Sequence, residues 1–168
     1  MPTKPTTSTV TDSARPVPAI SLTALQATLL TAIAEKSVLV RTDTVQTFRG
    51  ASPAKINVWV DEGKLRWVWD INNGRGRARQ LRFLALEVFR PETTQNITLD
   101  DALRIILGET RVNFRCFEIC HRMRLTHPAV YHLHQDGHLP GKIIGKTLHI
   151  ARPSLETFLK SRWIGGVK

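Results

Sequence analysis

Apolar residues recur at helical spacing in SLTALQATLLTAIAEK, where Leu22, Leu25, Leu29 and Ile33 share one face, so a helix is predicted from Ser21. Residues 1–20, rich in Pro, Thr and Ser, read as a disordered arm. A second short helix is expected behind an N-cap at Thr42 or Asp43, with Val45 and Phe48 facing inward. A third follows Ser52, whose hydroxyl can cap it while Pro53 takes the first helical position, and Gly63 closes it. The pattern then changes. LRWVWDI at 65–71 and QLRFLALEVF at 80–89 are short, aromatic and branched, and predict two strands of a hairpin across the turn NNGRGRAR. Residues 90–97 read as a linker, after which Thr98 and Asp101 form a capping pair for a helix carrying Leu99, Leu103 and Ile106.

The two halves repeat. At a gapless offset of 74, Ser52 meets Thr126, Ile56 meets Val130, Trp59 meets Leu133, Glu62 meets Asp136, Gly63 meets Gly137 and Leu65 meets Leu139. Each segment reads as cap, short helix, acidic residue, Gly, one residue, Leu and then a hairpin. The upstream helices at Ser21 and Thr98 correspond once three residues are gapped. The expected fold is therefore mainly α with small β-hairpins (α+β), in tandem winged helix-turn-helix modules. The expected boundaries are an arm at 1–20, a first module at 21–90 with an Arg-rich wing, a linker at 91–97 and a second module at 98–168. In the second module Val130 and Leu133 should point inward, leaving His127, Pro128, Tyr131 and His132 outside. In the first, Ile56, Trp59 and Val60 should face the core, leaving Pro53, Lys55 and Asn57 exposed.

The stretch RLTHPAVYHLHQDGHLPGKIIGKTLHIARPSLETFL, residues 124–159, resembles the excisionase-type branch of the MerR-like winged helix-turn-helix superfamily. Thr126, Val130-Tyr131, Leu133, Gly137, Leu139-Pro140 and a helix at Pro153–Lys160 carry the resemblance. GASPAKINVWVDEGKL looks like a second member, with Trp59 before the turn, but its wing is longer and Arg-rich. The resemblance implies sequence-preferring binding of double-stranded DNA. His127 and Pro128 would approach bases, Tyr131 and His132 the backbone, and Lys142 and Lys146 the phosphates beside the wing. Pro53, Lys55 and Asn57 hold the corresponding surface of the first copy, where Asn57 reads adenine or touches phosphate. Arg49, Ser52, Arg124 and Thr126 flank these helices and complete the expected interface. Arg75, Arg77 and Arg79 alternate at the hairpin tip, and either enter a narrow minor groove or add electrostatic affinity from a solvated loop.

Charge supports a polyanionic partner. The formal net charge is +10, spread as +1 over residues 1–20, +5 over 21–90 and +4 over 91–168, so it belongs to the folded body and not to a tail. No apolar run reaches a membrane span, the first 20 residues have no signal-like apolar core, and two cysteines are too few for a disulfide framework, so a cytoplasmic, nucleoid-associated setting is expected. GKIIGKT at 141–147 has three residues between its glycines where a phosphate-binding loop needs four. Cys116, Cys120 and His121 invite a metal, but thiols on a helix face with Val112 and Met123 are better read as buried. No cofactor is expected, and no catalytic triad, metalloprotease motif or carboxylate pair is identifiable.

The sequence thus predicts a non-enzymatic, covalent pseudo-dimer on DNA, with half-sites about 34 Å apart if both modules dock on one face. An architectural or recombination-directionality role on a mobile element, transcriptional regulation, plasmid partition and autorepression by an antitoxin remain open. A recombinase or other DNA-bound protein and self-association on DNA are the expected protein contacts. An adaptor whose His-rich second module binds protein is the alternative from another class.

Overall fold

The computed structural model describes residues 38–72 and 78–166; the arm, the helix read from Ser21, and Arg75 and Arg77 at the hairpin tip lie outside the described residues. Two three-residue strands that the sequence pattern does not mark open the two halves. Strand β1 (Leu39–Arg41) leads into helix α1 (Thr42–Arg49), then α2 (Pro53–Asp61), strands β2 (Val68–Asp70) and β3 (Leu81–Leu84), and helix α3 (Ala85–Phe89). A 3-10 turn at Pro91–Thr94 connects to α4 (Leu99–Leu107). The same order then returns in β4 (Asn113–Arg115), α5 (Cys116–Met123), α6 (His127–Gln135), β5 (Lys142–Ile144), β6 (Thr147–Ala151) and α7 (Arg152–Arg162). Among the described residues the fold is thus α+β, with seven α-helices and two three-stranded antiparallel sheets ordered β1-β3-β2 and β4-β6-β5.

Local chemistry explains most boundaries. The Ser52 hydroxyl accepts the Lys55 N–H at 3.3 Å and Pro53 opens α2; the Thr126 hydroxyl accepts the Ala129 N–H at 3.4 Å at the start of α6. Thr98 and Asp101 form the reciprocal capping box of α4. The cap of α1 is neither Thr42 nor Asp43 but Arg41, the extended residue ahead of the helix, for Thr42 is already helical.

Three expectations need correction. Residues 80–89 are not one strand, because the chain leaves β3 at Leu84 and coils into α3. There the buried Glu87 carboxylate accepts the Arg66 and Trp67 N–H groups at 2.7 and 2.9 Å. Burial pushes the Glu87 pKa up, and the two N–H bonds pull against it. Residues 90–97 are not a free linker, for Thr94 is buried and its carbonyl accepts the Trp67 indole N–H at 3.3 Å. Val112 does not share the buried face of α5; it precedes β4 and is 69% exposed.

The reason the linker is packed lies in the two cores. The smaller one fills the inner face of the first sheet, where Val40, Val68 and Phe83 meet Val45, Ile56, Val60 and Val88. The outer face of that sheet, carrying Leu39, Trp67, Trp69 and Leu84, belongs to the larger core. That core continues through Leu103 and Ile106 of α4, the inner face of the second sheet (Phe114, Leu148, Ile150), and Ile119, Val130, Leu133, Leu155 and Leu159. Downstream of α7, Trp163 stacks on Trp67 with centroids 5.6 Å apart, and its indole donates to the Arg66 carbonyl at 2.9 Å. The Ile164 N–H donates to the Val68 carbonyl at 3.0 Å, so the free edge of β2 is covered by the chain's own C-terminal segment.

The halves are also tied by arginine. Arg82, only 8% exposed on β3, donates from Nε to the Met123 carbonyl and from Nη2 to the Arg124 carbonyl, both at 3.0 Å. Arg41 Nη2 reaches the same Arg124 carbonyl at 3.3 Å. These groups satisfy the C-terminal carbonyls of α5 and place positive charge at the negative end of its dipole. Burial lowers the Arg82 pKa to about 10, with Arg41 acting in the same direction and Asp43 and Asp70 opposing, so the guanidinium keeps its charge at neutral pH.

Candidate nucleic-acid interface

At the offset of 74 that aligns the sequences, the helices coincide: Thr42 with Cys116, Pro53 with His127 and Asp61 with Gln135. The turn between the paired helices is left-handed in both, at Gly50 (φ +60°) and Arg124 (φ +53°). Glycine adopts this conformation without strain, whereas for arginine it costs about 1 kcal/mol. In the second half the Arg82 and Arg41 bonds to the Arg124 carbonyl hold the turn in place.

The outward side of α2 carries the expected residues. Ser52, Pro53 and Lys55 are exposed and Asn57 is half-buried, while Ile56 and Val60 are buried and Trp59 is half-buried beneath them. The Lys55 ammonium lies over the Trp59 ring, 5.4 Å from its centroid, which draws the cation along the helix surface. Arg49 ends α1, with its guanidinium 5.9 Å from the Phe48 ring centroid and Nη2 donating to the Glu87 carbonyl at 3.5 Å.

On α6, Val130 and Leu133 are buried, Thr126, His127 and Pro128 exposed, and Tyr131 and His132 half-buried. The His127 and Tyr131 rings lie 5.1 Å apart, giving this helix an aromatic start where α2 has Pro53 and Asn57. His134, further along, turns its Nδ1 to the Leu139 carbonyl at 3.2 Å and holds the following loop. Arg124 is half-buried, and its backbone serves the junction between the halves.

The hairpins differ most. Between β5 and β6 only Gly145 and Lys146 intervene, since Ile144 pairs with Thr147. Lys142 and Lys146 are both exposed, as are Ile143 and Ile144 at 60% and 61%. The first hairpin is longer, with Asp70 paired to Leu81 and residues 71–80 between them. Of its three alternating arginines only Arg79 is described, and Nη1 donates to Asp61 Oδ1 at 2.8 Å. That cation is joined to the end of α2.

The setting of the thiols favours their protonated form. Cys116 and Cys120 are unbridged, with Sγ atoms 4.0 Å apart on one helix face. Burial pushes the Cys116 thiol up to about 12, with Cys120 adding to it, and raises Cys120 as well.

Sequence reasoning missed Arg41, Arg82 and Arg115. Extending the repeat upstream would have paired Arg41 with Arg115, whose separation is the same 74 residues. Nothing local marks Arg82, which looks like any strand arginine until the second half packs on it. No family model matches the chain, and no curated protein or solved structure matches it. Among the described residues no helix is long and apolar enough to cross a membrane.

Proposed function

We propose that the protein binds double-stranded DNA with sequence preference and without catalysis, as two winged helix-turn-helix modules. In this reading α2 and α6 enter the major groove and the hairpins β2–β3 and β5–β6 flank them as wings. The observation that carries it is the repeated β-α-α-β-β-α unit, whose second helix starts on a hydroxyl cap and leaves its first turn exposed in both copies. The net charge of +10 supplies the sequence-independent attraction to phosphate. Lys55 and Asn57 on one helix, and His127 and Tyr131 on the other, are the groups we assign to base edges and adjoining backbone.

The shared core joins the modules without a flexible tether, which favours one composite site over two freely spaced half-sites. Such a unit suits an architectural or directionality factor beside a recombinase, and equally a regulator at a single operator. The outward face of α6 favours one second reading, because its exposed first turn carries no Lys or Arg and suits a protein partner.

Footprinting on the DNA flanking the gene, at two salt concentrations, tests the proposal. Protection of one continuous segment, weakening as salt rises, is the expected result; no protection at low salt overturns it. Replacing His127 and Tyr131 together by alanine should lower affinity at least tenfold, whereas unchanged affinity transfers α6 to the protein-partner reading.

A further inference from the structure

The two sheets present equivalent outer faces to different surroundings. In the first, β-pairing places Arg41, Arg82 and Trp69 in one cross-strand row. Arg82 and Trp69 in that row are buried and Arg41 is exposed at its edge, and the two arginines hold the C-terminal carbonyls of α5. In the second sheet the same register places Arg115, His149 and Lys142 side by side.

Alternation fixes where this second row points. Phe114, Leu148 and Ile150 are buried on the inner face, so the residues between them lie on the other. There Asn113, Arg115, Lys142 and Ala151 are exposed and His149 half-buried. Lys142 stands where the first sheet has Trp69, Asn113 where it has Leu39, and Ala151 where it has Leu84. Each exchange removes apolar surface, and one adds a cation. With strands about 4.8 Å apart, three nitrogen-bearing side chains line a short track across the sheet. The carboxylate beside it, Glu118, is already engaged by the Arg111 guanidinium and by the Arg115 N–H. Neither Arg115 nor Lys142 has an ion-pair partner among the described residues.

We infer that the outer face of the second sheet is a binding site for the phosphodiester backbone of duplex DNA, with Arg115, His149 and Lys142 as its donors. The inference rests on the DNA-binding reading above and extends its contacts beyond the recognition helices and wing tips. The row keeps an arginine at the place of Arg41, has His149 at that of Arg82 and exchanges the apolar Trp69 for Lys142. A wet, cationic strip suits a chain of phosphates and does not suit a dry protein contact. These contacts carry no base information, so they add affinity equally on every sequence.

The experiment is the salt dependence of binding to a short duplex of mixed sequence, from about 50 to about 200 mM salt. Lys142 also belongs to the wing, so Arg115→Gln carries the test; the side chain is exposed, and its thermal transition should match wild type. The plot of log affinity against log salt should become shallower by about 1 for R115Q and about 2 for the R115Q/K142Q pair. Arg104→Gln, on α4 and paired with Asp101 at 3.5 Å, removes the same charge elsewhere and should leave the slope unchanged. An unchanged slope in R115Q overturns the proposal, and so does an equal fall in R104Q, which would report net charge alone. Absence of any wild-type binding at low salt removes the DNA-binding reading itself, a result separate from either.

Discussion

The first sheet lies between two cores, while the second has a core on one face and solvent on the other. Both were built by the same element order and the same strand register. The contrast therefore reflects what was placed on the outer face, namely Leu39, Trp69 and Leu84 in one and Asn113, Lys142 and Ala151 in the other. One architecture can serve as an internal layer or as a surface, and three cross-strand positions separate the two uses. The arginine row shows this most directly: in the first sheet Arg82 and Arg41 bond the end of α5 and tie the halves together, whereas in the second Arg115 and Lys142 are exposed.

The largest expected effect comes from exchanging the central pair. Trp69 is fully buried, and Trp69→Ala should cost about 4 kcal/mol by urea denaturation, through lost transfer energy and the cavity left behind. Lys142→Ala, at the equivalent place, should change stability by less than about 0.5 kcal/mol. Similar values for the two would mean that the outer faces do not differ as described.

A smaller effect is expected one strand over. Arg82→Ala removes the donor to the Met123 carbonyl and one of the two donors to the Arg124 carbonyl, and leaves a gap in the row, which should cost about 3 kcal/mol. The equivalent His149→Ala should cost about 0.5 kcal/mol, since its side chain has solvent on one side. Because both modules share the larger core, Arg82→Ala should lower a single unfolding transition; two separated transitions would show that the modules fold independently.

The effect of narrowest reach is a pH dependence confined to one module and to alkaline solution. The Cys116 thiol titrates at about 12 in the fold against an ordinary 9.0, so folding favours its protonated form. That contribution is complete below pH 9 and is lost as pH rises toward 12. The equivalent residue in the first module is Thr42. Cys116→Thr should therefore flatten the alkaline decline of stability relative to wild type, measured by denaturation from neutral pH upward. An identical decline in the variant would remove the thiol as its cause.

Much of the candidate interface was legible because it depends on local rules. A hydroxyl followed by Pro or His-Pro at the start of an apolar-striped segment specifies a capped helix and its outward side, so Ser52, Lys55, Thr126 and His127 lie where the pattern put them. The hairpin of Lys142–Ala151 was legible for the same reason, with a two-residue Gly-Lys turn between branched runs. The segment ALEVF was misread because apolar residues at this length fit strand and helix alike, and the outcome turned on Glu87 reaching the Arg66 and Trp67 amides.

The amino-acid order alone determined the repeat, the caps and buried stripes of α2, α4 and α6, and the even spread of positive charge, since each follows from spacing or counting within a short window. Tertiary structure decided which arginines are free. Arg82 is consumed by a helix terminus 41 residues away in sequence, Arg79 by Asp61, while Arg115 is exposed and has no ion-pair partner among the described residues. A cation's role depends on what solvates it, and that is settled only when distant surfaces meet.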